Sequence, residues 1–382
     1  MKFIHTSDWQ IGMTRAFLSQ EAAARYSQAR IDAIRHLGQL AREHGAQFMV
    51  VAGDVFESNQ LSAQTLSRCL DALNSVPVPV FLLPGNHDPL DASSIFRSKT
   101  FREQARGHLI VVSDSNPIPV PGLVNVEVVG APWFSKRPAT DLCTQALKTL
   151  EPAPGVTRIL LGHGQVDSLA PDQGQPGVVS QAVLEQALAE RRVHYVALGD
   201  RHSLTEVGNS GRLCYSGTPL VTDFDEVAPN QALLVDLEGD NCHLTTLDTG
   251  IWVFLAEQRH INGPDDLAAF AQWLEDIRGK ECSVLKVGFT GSINLALAAE
   301  LDALLEDQSH LFASLKRRER TTDLAVVPDE LDDNAIALSG YAEATWKALL
   351  AQSAVDETAS DALRLMYRLA GGAAGTHGGR GA

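Results

Sequence analysis

Short apolar runs alternate with amphipathic stretches through the first half of the chain. The apolar runs have the length of buried strands, and the stretches between them place side chains such as Tyr26, Ile34 and Leu37 on one helical face. This β-α-β-α-β order predicts an α/β fold in which helices cover a largely parallel sheet. The predicted elements are strands at 2–6, 47–52, 78–83, 108–112, 125–130, 158–161, 194–198, 231–237 and 243–247, and helices at 20–44, 62–74 and 180–191.

The pattern shifts near Gly250, where a second and shorter series of strands and helices begins. The clearest helix of this series starts with Pro264 and stops before Gly279, the usual placement of these residues at helix ends. A Gly/Ala-rich composition near the end of the chain is typical of disorder. The predicted organisation is a large α/β domain over 1–250, a small α+β domain over 251–335, C-terminal helices within 336–370 and a disordered tail over 371–382.

Composition narrows the classes of protein to which the chain can belong. Hydrophobic residues make up 45% of the 382 residues and no apolar run approaches the ~18 of a membrane span, which favours a soluble globular protein. The opening residues lack the apolar segment of a signal peptide, so a cytoplasmic location is expected.

The five scattered cysteines form no Cys-x-x-Cys pair, so neither a zinc knuckle nor a disulfide framework is indicated. The net charge of −16 argues against coating nucleic acid through bulk charge, but local basic patches and metal ions remain as means of binding DNA.

Five of the predicted strands in the first 202 residues are followed by side chains of types that can bind metal ions. Taken singly, an Asp at such a place is typical of a helix cap, and a His of a hydrogen-bonded structural residue. Their joint occurrence is different, because the carboxyl ends of strands in one sheet converge on a single crevice where ligands bind. The candidates are, in order, Asp8 with Gln10, Asp54, Asn86 with His87, His163, and Asp200 with His202.

Carboxylates, an amide and imidazoles in one crevice suit two divalent ions ~3.5–4 Å apart, as in two-metal phosphoester sites. One carboxylate has to bridge the ions, because two doubly charged cations at that distance require an anion between them. Water held by such a pair ionises near neutral pH and becomes nucleophilic. This set of residues therefore predicts metal-dependent phosphoester hydrolysis.

The motifs at these strand ends read Ser-Asp-Trp-Gln, Gly-Asp-Val-Phe-Glu, Pro-Gly-Asn-His-Asp, Gly-His-Gly and Ala-Leu-Gly-Asp-Arg-His. Taken in this order, they resemble the motifs of the calcineurin-like metallophosphoesterase family, and residues 5–9 and 195–199 further resemble its SbcD branch. The resemblance implies a layered sheet-and-helix core with a smaller capping domain. It also implies a DNA exonuclease that works in DNA repair with an SbcC-type ATPase. A second copy of the chain is a further option as a partner, and no membrane is implied.

The resemblance also implies a role for each position in the site. Asp54 is then the bridging ligand, and His87 contacts the scissile phosphate, where it stabilises the phosphorane or protonates the leaving oxygen. Asp88 is expected to orient His87 rather than to bind metal. Metal one takes Asp8, Gln10, Asp54 and His202, and metal two takes Asp54, Asn86, His163 and Asp200.

Two positions depart from the family pattern, and they bear on the choice of metal. Gln10 stands where the first motif usually has His, and Asp200 stands where the last motif usually has the first of its two His residues. Both departures exchange a nitrogen ligand for an oxygen ligand. Oxygen-rich sites suit manganese and magnesium, whereas imidazole-rich sites suit zinc and iron. The expected cofactors are two divalent ions, Mn²⁺ before Mg²⁺.

Three functions fit these residues. The first is a Mn-dependent DNA nuclease subunit of the SbcD type. The second is a metallophosphoesterase of small phosphodiesters, which would share every ligand but would not need the extra domain after Gly250. The third is a weakly active scaffold that mainly binds an ATPase, which Gln10 and Asp200 favour and the intact remaining ligands oppose.

Few basic side chains are available to receive DNA. The densest cluster is Lys-Arg-Arg-Glu-Arg at 316–320 in the predicted capping domain, for which a solvated strand end is the alternative interpretation. The C-terminal segment has an apolar face that either docks an ATPase or packs on its own domain, formed by Leu363, Met366, Leu369 and Ala370. The other candidates are Arg97, Lys99, Arg102 and Arg106 after the Asn-His-Asp motif, and Arg201 inside the last motif.

Overall fold

The computed structural model describes residues 1–170, 175, 177–327, 338–353 and 356–375. The chain divides into two compact units, Met1–Trp252 and Val253–Ala382. The strands are β1 (Lys2–Thr6), β2 (Phe48–Val51), β3 (Val80–Leu82), β4 (Leu109–Val111), β5 (Ile118–Pro119), β6 (Val126–Gly130), β7 (Thr157–His163), β8 (Tyr195–Gly199), β9 (Thr205–Glu206), β10 (Leu213–Tyr215), β11 (Gln231–Glu238), β12 (Asn241–Asp248), β13 (Val253–His260), β14 (Ser283–Ile293), β15 (Ser314–Arg317) and β16 (Asp323–Val326). The helices are α1 (Gln20–Glu43), α2 (Ala63–Asn74), α3 (Lys99–Gln104), α4 (Leu142–Lys148), α5 (Gln181–Ala189), α6 (Pro264–Asp276), α7 (Leu295–Ser309), α8 (Tyr341–Ser353) and α9 (Glu357–Gly375).

The first unit is built on two six-stranded sheets. The strand order is β12-β11-β1-β2-β3-β4 in one sheet and β5-β6-β7-β8-β10-β9 in the other. Strands β1 to β4 pair in parallel, as do β6, β7 and β8, which agrees with the predicted parallel arrangement. Strand β11 joins the first sheet antiparallel to β1, with Ile4 opposite Leu234.

A layer of apolar side chains joins the two sheets face to face. Phe3, Phe48 and Phe81 of the first sheet and Ile159 and Tyr195 of the second are all fully buried in it. The rings of Phe3 and Phe48 stack with centroids 4.8 Å apart, and Tyr195 meets Phe3 edge-on at 5.5 Å. The outer face of the first sheet packs on α1 and α2, and the outer face of the second packs on α4 and α5. The layers are therefore helix, sheet, sheet, helix.

The predicted α/β class with layered sheets and helices is confirmed, but the expectation of a single sheet under the motifs is wrong. Asp8, Asp54 and Asn86 follow strands of the first sheet, whereas His163 ends β7 and Asp200 follows β8 in the second. Apolar runs show where strands lie but not which of them pair, because each of these strands is buried on both faces. The motifs still meet, because the carboxyl ends of both sets of strands lie at the same edge of the sandwich.

The second unit has its own sheet and core. Strand β14 pairs in parallel with β13, β15 and β16. Helices α6 and α7 bring Phe270 and Leu301 against Leu285 and Phe289 of β14. Helices α8 and α9 pair with each other, and the buried ring of Trp346 lies 6.4 Å from that of Tyr367.

The end of the chain differs from expectation in one respect. Helix α9 continues to Gly375, so residues 371–375 of the predicted disordered tail are helical. The rest of that tail, 376–382, lies outside the described residues, as does the segment 328–337, where the predicted boundary before the C-terminal helices falls. No described helix is long and apolar enough to cross a bilayer.

Candidate metal centre

The carboxyl ends of β1, β2, β3, β7 and β8 meet at one edge of the sheet sandwich. One ligand atom each of Asp8, Asp54 and His163 lies within 4.8 Å of the others, and all three residues are buried. The Nε2 atom of His163 is 2.8 Å from Asn86 Oδ1 and 3.8 Å from Asp200 Oδ1. Five of the seven predicted ligands therefore surround one small volume.

The two remaining predicted ligands, Gln10 and His202, lie next to Asp8. His202 Nε2 is 3.9 Å from Asp8 Oδ1 and 3.2 Å from Gln10 Nε2. Gln10 Oε1 is buried and has no hydrogen-bond partner among the described residues. A buried acceptor without a partner is costly unless a cation meets it. The donor set therefore fits a bound metal ion, and Gln10 Oε1 is available to it.

Several of these residues have an unusual backbone conformation. Asp8, Gln10, Asp54 and Asp200 have φ angles of 54°, 44°, 51° and 93°, in the left-handed region that residues other than glycine rarely adopt. Such a conformation costs about 1–3 kcal/mol and persists where surrounding contacts enforce it. Here the first two loops run side by side, since the Asp8 N–H donates to Gly53 O and the Gln10 N–H to Asp54 O. The strained positions coincide with the predicted ligands, as is common at functional sites.

Glycines next to the ligands make room for the closely packed side chains. A Cβ on Gly53 would lie 2.0 Å from His163 Nδ1, and a Cβ on Gly85 would lie 2.2 Å from Asp54 Oδ1. A Cβ on Gly199 would lie 2.9 Å from His163 Nδ1. These distances are shorter than van der Waals contact, so the glycines of three motifs are steric requirements of the centre.

A backbone hydrogen bond orients His163. Its Nδ1–H donates to the carbonyl of Ala52 at 2.8 Å, which places a proton on Nδ1 and turns Nε2 towards the oxygens of the centre. Those oxygens are Asn86 Oδ1 and, at 3.4 Å, Asp54 Oδ1. Both are acceptors, so either a proton on Nε2 or a bound cation has to meet this group of atoms. A second hydrogen bond that fixes the tautomer is the usual environment of a metal-binding histidine.

The residues that hold His202 were missed by the sequence analysis. Glu226 Oε1 is 3.0 Å and Thr222 Oγ1 is 2.6 Å from His202 Nδ1. Glu226 also accepts from the backbone N–H groups of Thr222 at 2.9 Å and Asp223 at 3.1 Å, so this loop folds around the carboxylate. Because a carboxylate only accepts, His202 carries its proton on Nδ1 and presents Nε2 to the centre. The run Thr-Asp-Phe-Asp-Glu at 222–226, shortly after the fifth motif, was the available signal.

Glu226→Ala is expected to raise the metal concentration needed for half-maximal activity by about 10- to 100-fold, the usual effect of losing a partner of a metal-binding histidine. Glu226→Gln should recover part of this loss, because its amide oxygen still accepts from Nδ1–H. The measurement is a metal titration of hydrolysis, with Asp225→Ala as the control, since Asp225 is an exposed carboxylate of the same loop. Equal metal requirements in the Glu226→Ala and Asp225→Ala variants would contradict the role of Glu226.

The electrostatics of the centre also favour a cation. Burial raises the pKa of Asp8 to about 6, although the charges of His202 and His163 act in the opposite direction. Burial likewise raises the pKa of Asp200. For His163, burial lowers the pKa, but the combined attraction of Asp54, Asp8 and Asp200 outweighs burial, and the pKa lies well above its ordinary value. Several carboxylates thus crowd around one histidine in a buried volume, and a divalent ion would balance their negative charge.

His87 lies at the rim of the centre. Its Nδ1–H donates to the Glu57 carbonyl at 3.0 Å, and its Nε2 is 3.9 Å from Asp54 Oδ2. The side chain is 35% exposed and lines an open cavity of about 670 Å³. This position leaves Nε2 accessible to a substrate while the ring stays outside the group formed by Asp8, Asp54 and His163.

The expectation that Asp88 orients His87 is wrong. Asp88 is fully buried, and its carboxylate accepts from the backbone N–H of Gly85 at 2.7 Å and of Phe56 at 2.9 Å. It therefore joins the Pro-Gly-Asn-His-Asp turn to the loop after Asp54. Burial raises the pKa of Asp88 to about 8. From residue type and spacing alone, a contact of Asp88 with the His87 ring could not be distinguished from a contact of Asp88 with the backbone.

A family model for the calcineurin-like phosphoesterases matches residues 1–204, which is more than half of the chain and includes every residue of the centre named in the motifs. The chain belongs to the calcineurin-like phosphoesterase family. As a member of this family, it is a metal-dependent phosphoesterase, and the group of Asp8, Asp54 and His163 is a candidate site for a divalent metal. The predicted family resemblance is confirmed.

Curated relatives of this calcineurin-like phosphoesterase are named as the SbcD subunit of the nuclease SbcCD. The protein of Bacillus subtilis (strain 168) is 26% identical over 264 residues, which are 59% of this chain and 63% of that protein. The protein of Rhodobacter capsulatus is 27% identical over 279 residues, 63% of this chain and 67% of that protein. The protein of Escherichia coli (strain K12) is 24% identical over 282 residues, 65% of this chain and 66% of that protein. The chain thus spans less than two thirds of the length of the first of these relatives.

Proposed function

We propose that the chain is a two-metal-ion phosphodiesterase that cleaves DNA, an SbcD-type nuclease subunit that works with an SbcC-type ATPase in DNA repair. The observation that carries the proposal is the convergence of Asp8, Asp54 and His163 within 4.8 Å, beside the open cavity that His87 lines. An open cavity admits a strand that continues beyond the cleaved bond. The names of the curated relatives favour a nuclease over an enzyme of small phosphodiesters.

In this proposal the ligands divide between two positions that share Asp54. When bound, the ions act as Lewis acids on the phosphate and lower the pKa of water. The side chains hold these positions through the hydrogen bonds of His163 to Ala52 and of His202 to Glu226. Position one is formed by Asp8, Gln10, Asp54 and His202, and position two by Asp54, Asn86, His163 and Asp200.

His87 acts on the substrate rather than on an ion. The Glu57 carbonyl holds the proton of its Nδ1, so Nε2 is the atom that meets the scissile phosphate or the leaving oxygen. A protonated Nε2 there stabilises charge that develops on the phosphate and donates a proton to the leaving group. The backbone N–H of His87 meanwhile donates to Asp54 Oδ1 at 2.9 Å, which couples the position of the ring to the bridging carboxylate.

The second unit provides, in this proposal, surfaces for DNA and for the ATPase. Lys316, Arg318 and Arg320 are exposed around the end of β15, where cations suit a phosphate backbone. On α9, Leu363 is buried, whereas Leu369 is 65% exposed. The apolar face predicted for this helix is therefore only partly covered, and its exposed part is the proposed contact with the ATPase.

The proposal is tested by digesting linear duplex DNA, single-stranded DNA and bis(4-nitrophenyl) phosphate side by side in the presence of Mn²⁺. Cleavage of DNA at a kcat/KM above that for the chromogenic ester is expected. Cleavage of the ester alone would indicate an enzyme of small phosphodiesters. Loss of all cleavage, with retained binding of an SbcC-type ATPase, would indicate a scaffold.

The two departures from the family pattern make a separate prediction about the metal. Gln10 and Asp200 supply oxygen where the family usually has nitrogen, so Mn²⁺ or Mg²⁺ should support activity better than Zn²⁺. Gln10→His is expected to tighten position one and to lower the metal concentration needed for activity. The measurement is a titration of activity with each ion for the parent and the variant. Greatest activity with Zn²⁺ in the parent would refute the oxygen-rich site, and an unchanged requirement in Gln10→His would exclude Gln10 as a ligand.

A further inference from the structure

The open cavity beside the metal centre is lined by more carboxylates than cations, although its proposed substrate is an anion. One of its two arginines, Arg15, is already engaged, because its guanidinium donates to the Thr222 carbonyl and lies 3.9 Å from the Asp223 carboxylate. The other is Arg201. The carboxylates that line the cavity are Glu57, Asp200, Asp223, Asp225 and Glu226.

Arg201 is held in place through one nitrogen. Its Nε–H donates to Thr205 Oγ1 at 2.8 Å, and the Thr205 hydroxyl donates to the Ser203 carbonyl at 3.0 Å. In the part of the chain that the structure describes, no carboxylate forms an ion pair with this guanidinium. The side chain is exposed in the cavity, so its terminal nitrogens remain available to a ligand.

The position of Arg201 in the chain determines which groups its side chain can contact. Arg201 lies between Asp200 and His202 in the sequence. The proposed function assigns these two neighbours to different ions, so the backbone of Arg201 adjoins both metal positions. Its side chain is anchored on β9 through Thr205, whereas the Asp200 carboxylate faces His163 at 3.8 Å. Arg201 is therefore held by β9 where it lines the cavity, while the neighbouring Asp200 turns towards His163.

A guanidinium in this position has a defined chemical preference. Its planar fork of N–H groups binds two phosphate oxygens at once, which the point charge of lysine does not. A DNA strand carries a phosphate about every 3.4 Å along the helix axis, so a strand with one phosphate at the ions places further phosphates along the cavity. A small phosphodiester has no such second phosphate.

We propose that Arg201 binds a phosphate adjacent to the scissile one and thereby selects polynucleotides over isolated phosphodiesters. This inference rests on the proposed function. It adds the feature of DNA that the site recognises, which is a second phosphate next to the scissile one. It assigns Arg201 to the recognition of the substrate and leaves the metals and His87 to the chemistry.

The test compares two substrates that differ in phosphate number, dithymidine monophosphate and an oligothymidylate, with the parent and with Arg201→Ala. The ratio of kcat/KM for the oligomer to that for the dimer is expected to fall by about 10- to 100-fold, the range for loss of a hydrogen-bonded charged group. Arg201→Lys should give an intermediate ratio, because it keeps the charge and loses the fork. The salt dependence of oligomer cleavage should also weaken, by about 0.7 in the logarithmic slope when the protein neutralises one phosphate fewer.

A control variant separates this role from a general effect of charge. Arg68→Ala removes an arginine that is exposed on α2, and it should leave the ratio and the salt slope at their parental values. An unchanged ratio in Arg201→Ala, or an equal loss with both substrates, would overturn the inference while DNA cleavage by the parent still stood. Failure of the parent to cleave any oligonucleotide would instead overturn the proposed function.

Discussion

Asp54→Ala is expected to abolish hydrolysis and to reduce the occupancy of both metal positions. The Asp54 carboxylate is 3% exposed, its Oδ1 is 3.4 Å from His163 Nε2, and it accepts from the His87 N–H at 2.9 Å. Burial raises its pKa, but the charge and hydrogen bond of His163 and the contacts of His87 outweigh burial and keep the pKa below its ordinary value. The carboxylate is therefore ionised at neutral pH, as a bridging ligand has to be. Without it, two divalent ions repel each other with no anion between them.

The measurement is the metal content per chain of the purified Asp54→Ala variant, with hydrolysis assayed in parallel. Asp54→Asn should also lose metal, because it keeps the shape of the side chain and removes the charge. Asp71→Ala is the control, since Asp71 is a 77% exposed carboxylate that pairs with Arg35 on the surface. Circular dichroism checks that each variant is folded. Retention of two ions per chain by folded Asp54→Ala would show that Asp54 is not the bridge.

His87→Ala is expected to retain both metals and to lose about 10²- to 10⁴-fold in turnover, the usual contribution of a general acid. The ring lies outside the group formed by Asp8, Asp54 and His163, with Nε2 3.9 Å from Asp54 Oδ2. Its removal should therefore leave the proposed ligands in place and take away the group proposed to protonate the leaving oxygen. Single-turnover rates and metal content, measured on the same preparation, test this separation.

The leaving group provides a sharper test of His87. A nitrophenolate leaves without protonation, whereas the alkoxide of a DNA strand needs a proton, so the loss in His87→Ala should be smaller for bis(4-nitrophenyl) phosphate than for DNA. His36→Ala is the matched control, because His36 is a half-buried residue of α1, remote in sequence from the motifs, whose Nε2 is 3.2 Å from the Asp248 carbonyl. Loss of metal in parallel with activity would place His87 among the ligands instead. An equal loss with both substrates would remove the role as a general acid.

Local features of the amino-acid sequence were enough to predict the main strands and helices and the seven residues that lie together at the centre. Strand β1 was predicted with its observed bounds, Lys2–Thr6, because a short apolar run between polar residues has few other conformations in a folded core. The helix after it was predicted within one residue of its end, since an apolar stripe and a following glycine are local signals. The seven predicted ligands lie together because the end of each strand is also a local feature, and parallel strands bring such ends to one edge.

The tertiary fold set how these local features combine. It divided the strands between two sheets, which their apolar sequences did not reveal because buried strands look alike whichever neighbour they pair with. It brought Asp88 to the backbone N–H of Phe56 and Glu226 to His202, contacts across 32 and 24 residues respectively. Such contacts depend on the distance between two side chains in the folded chain. Residue type and spacing along the sequence do not give that distance.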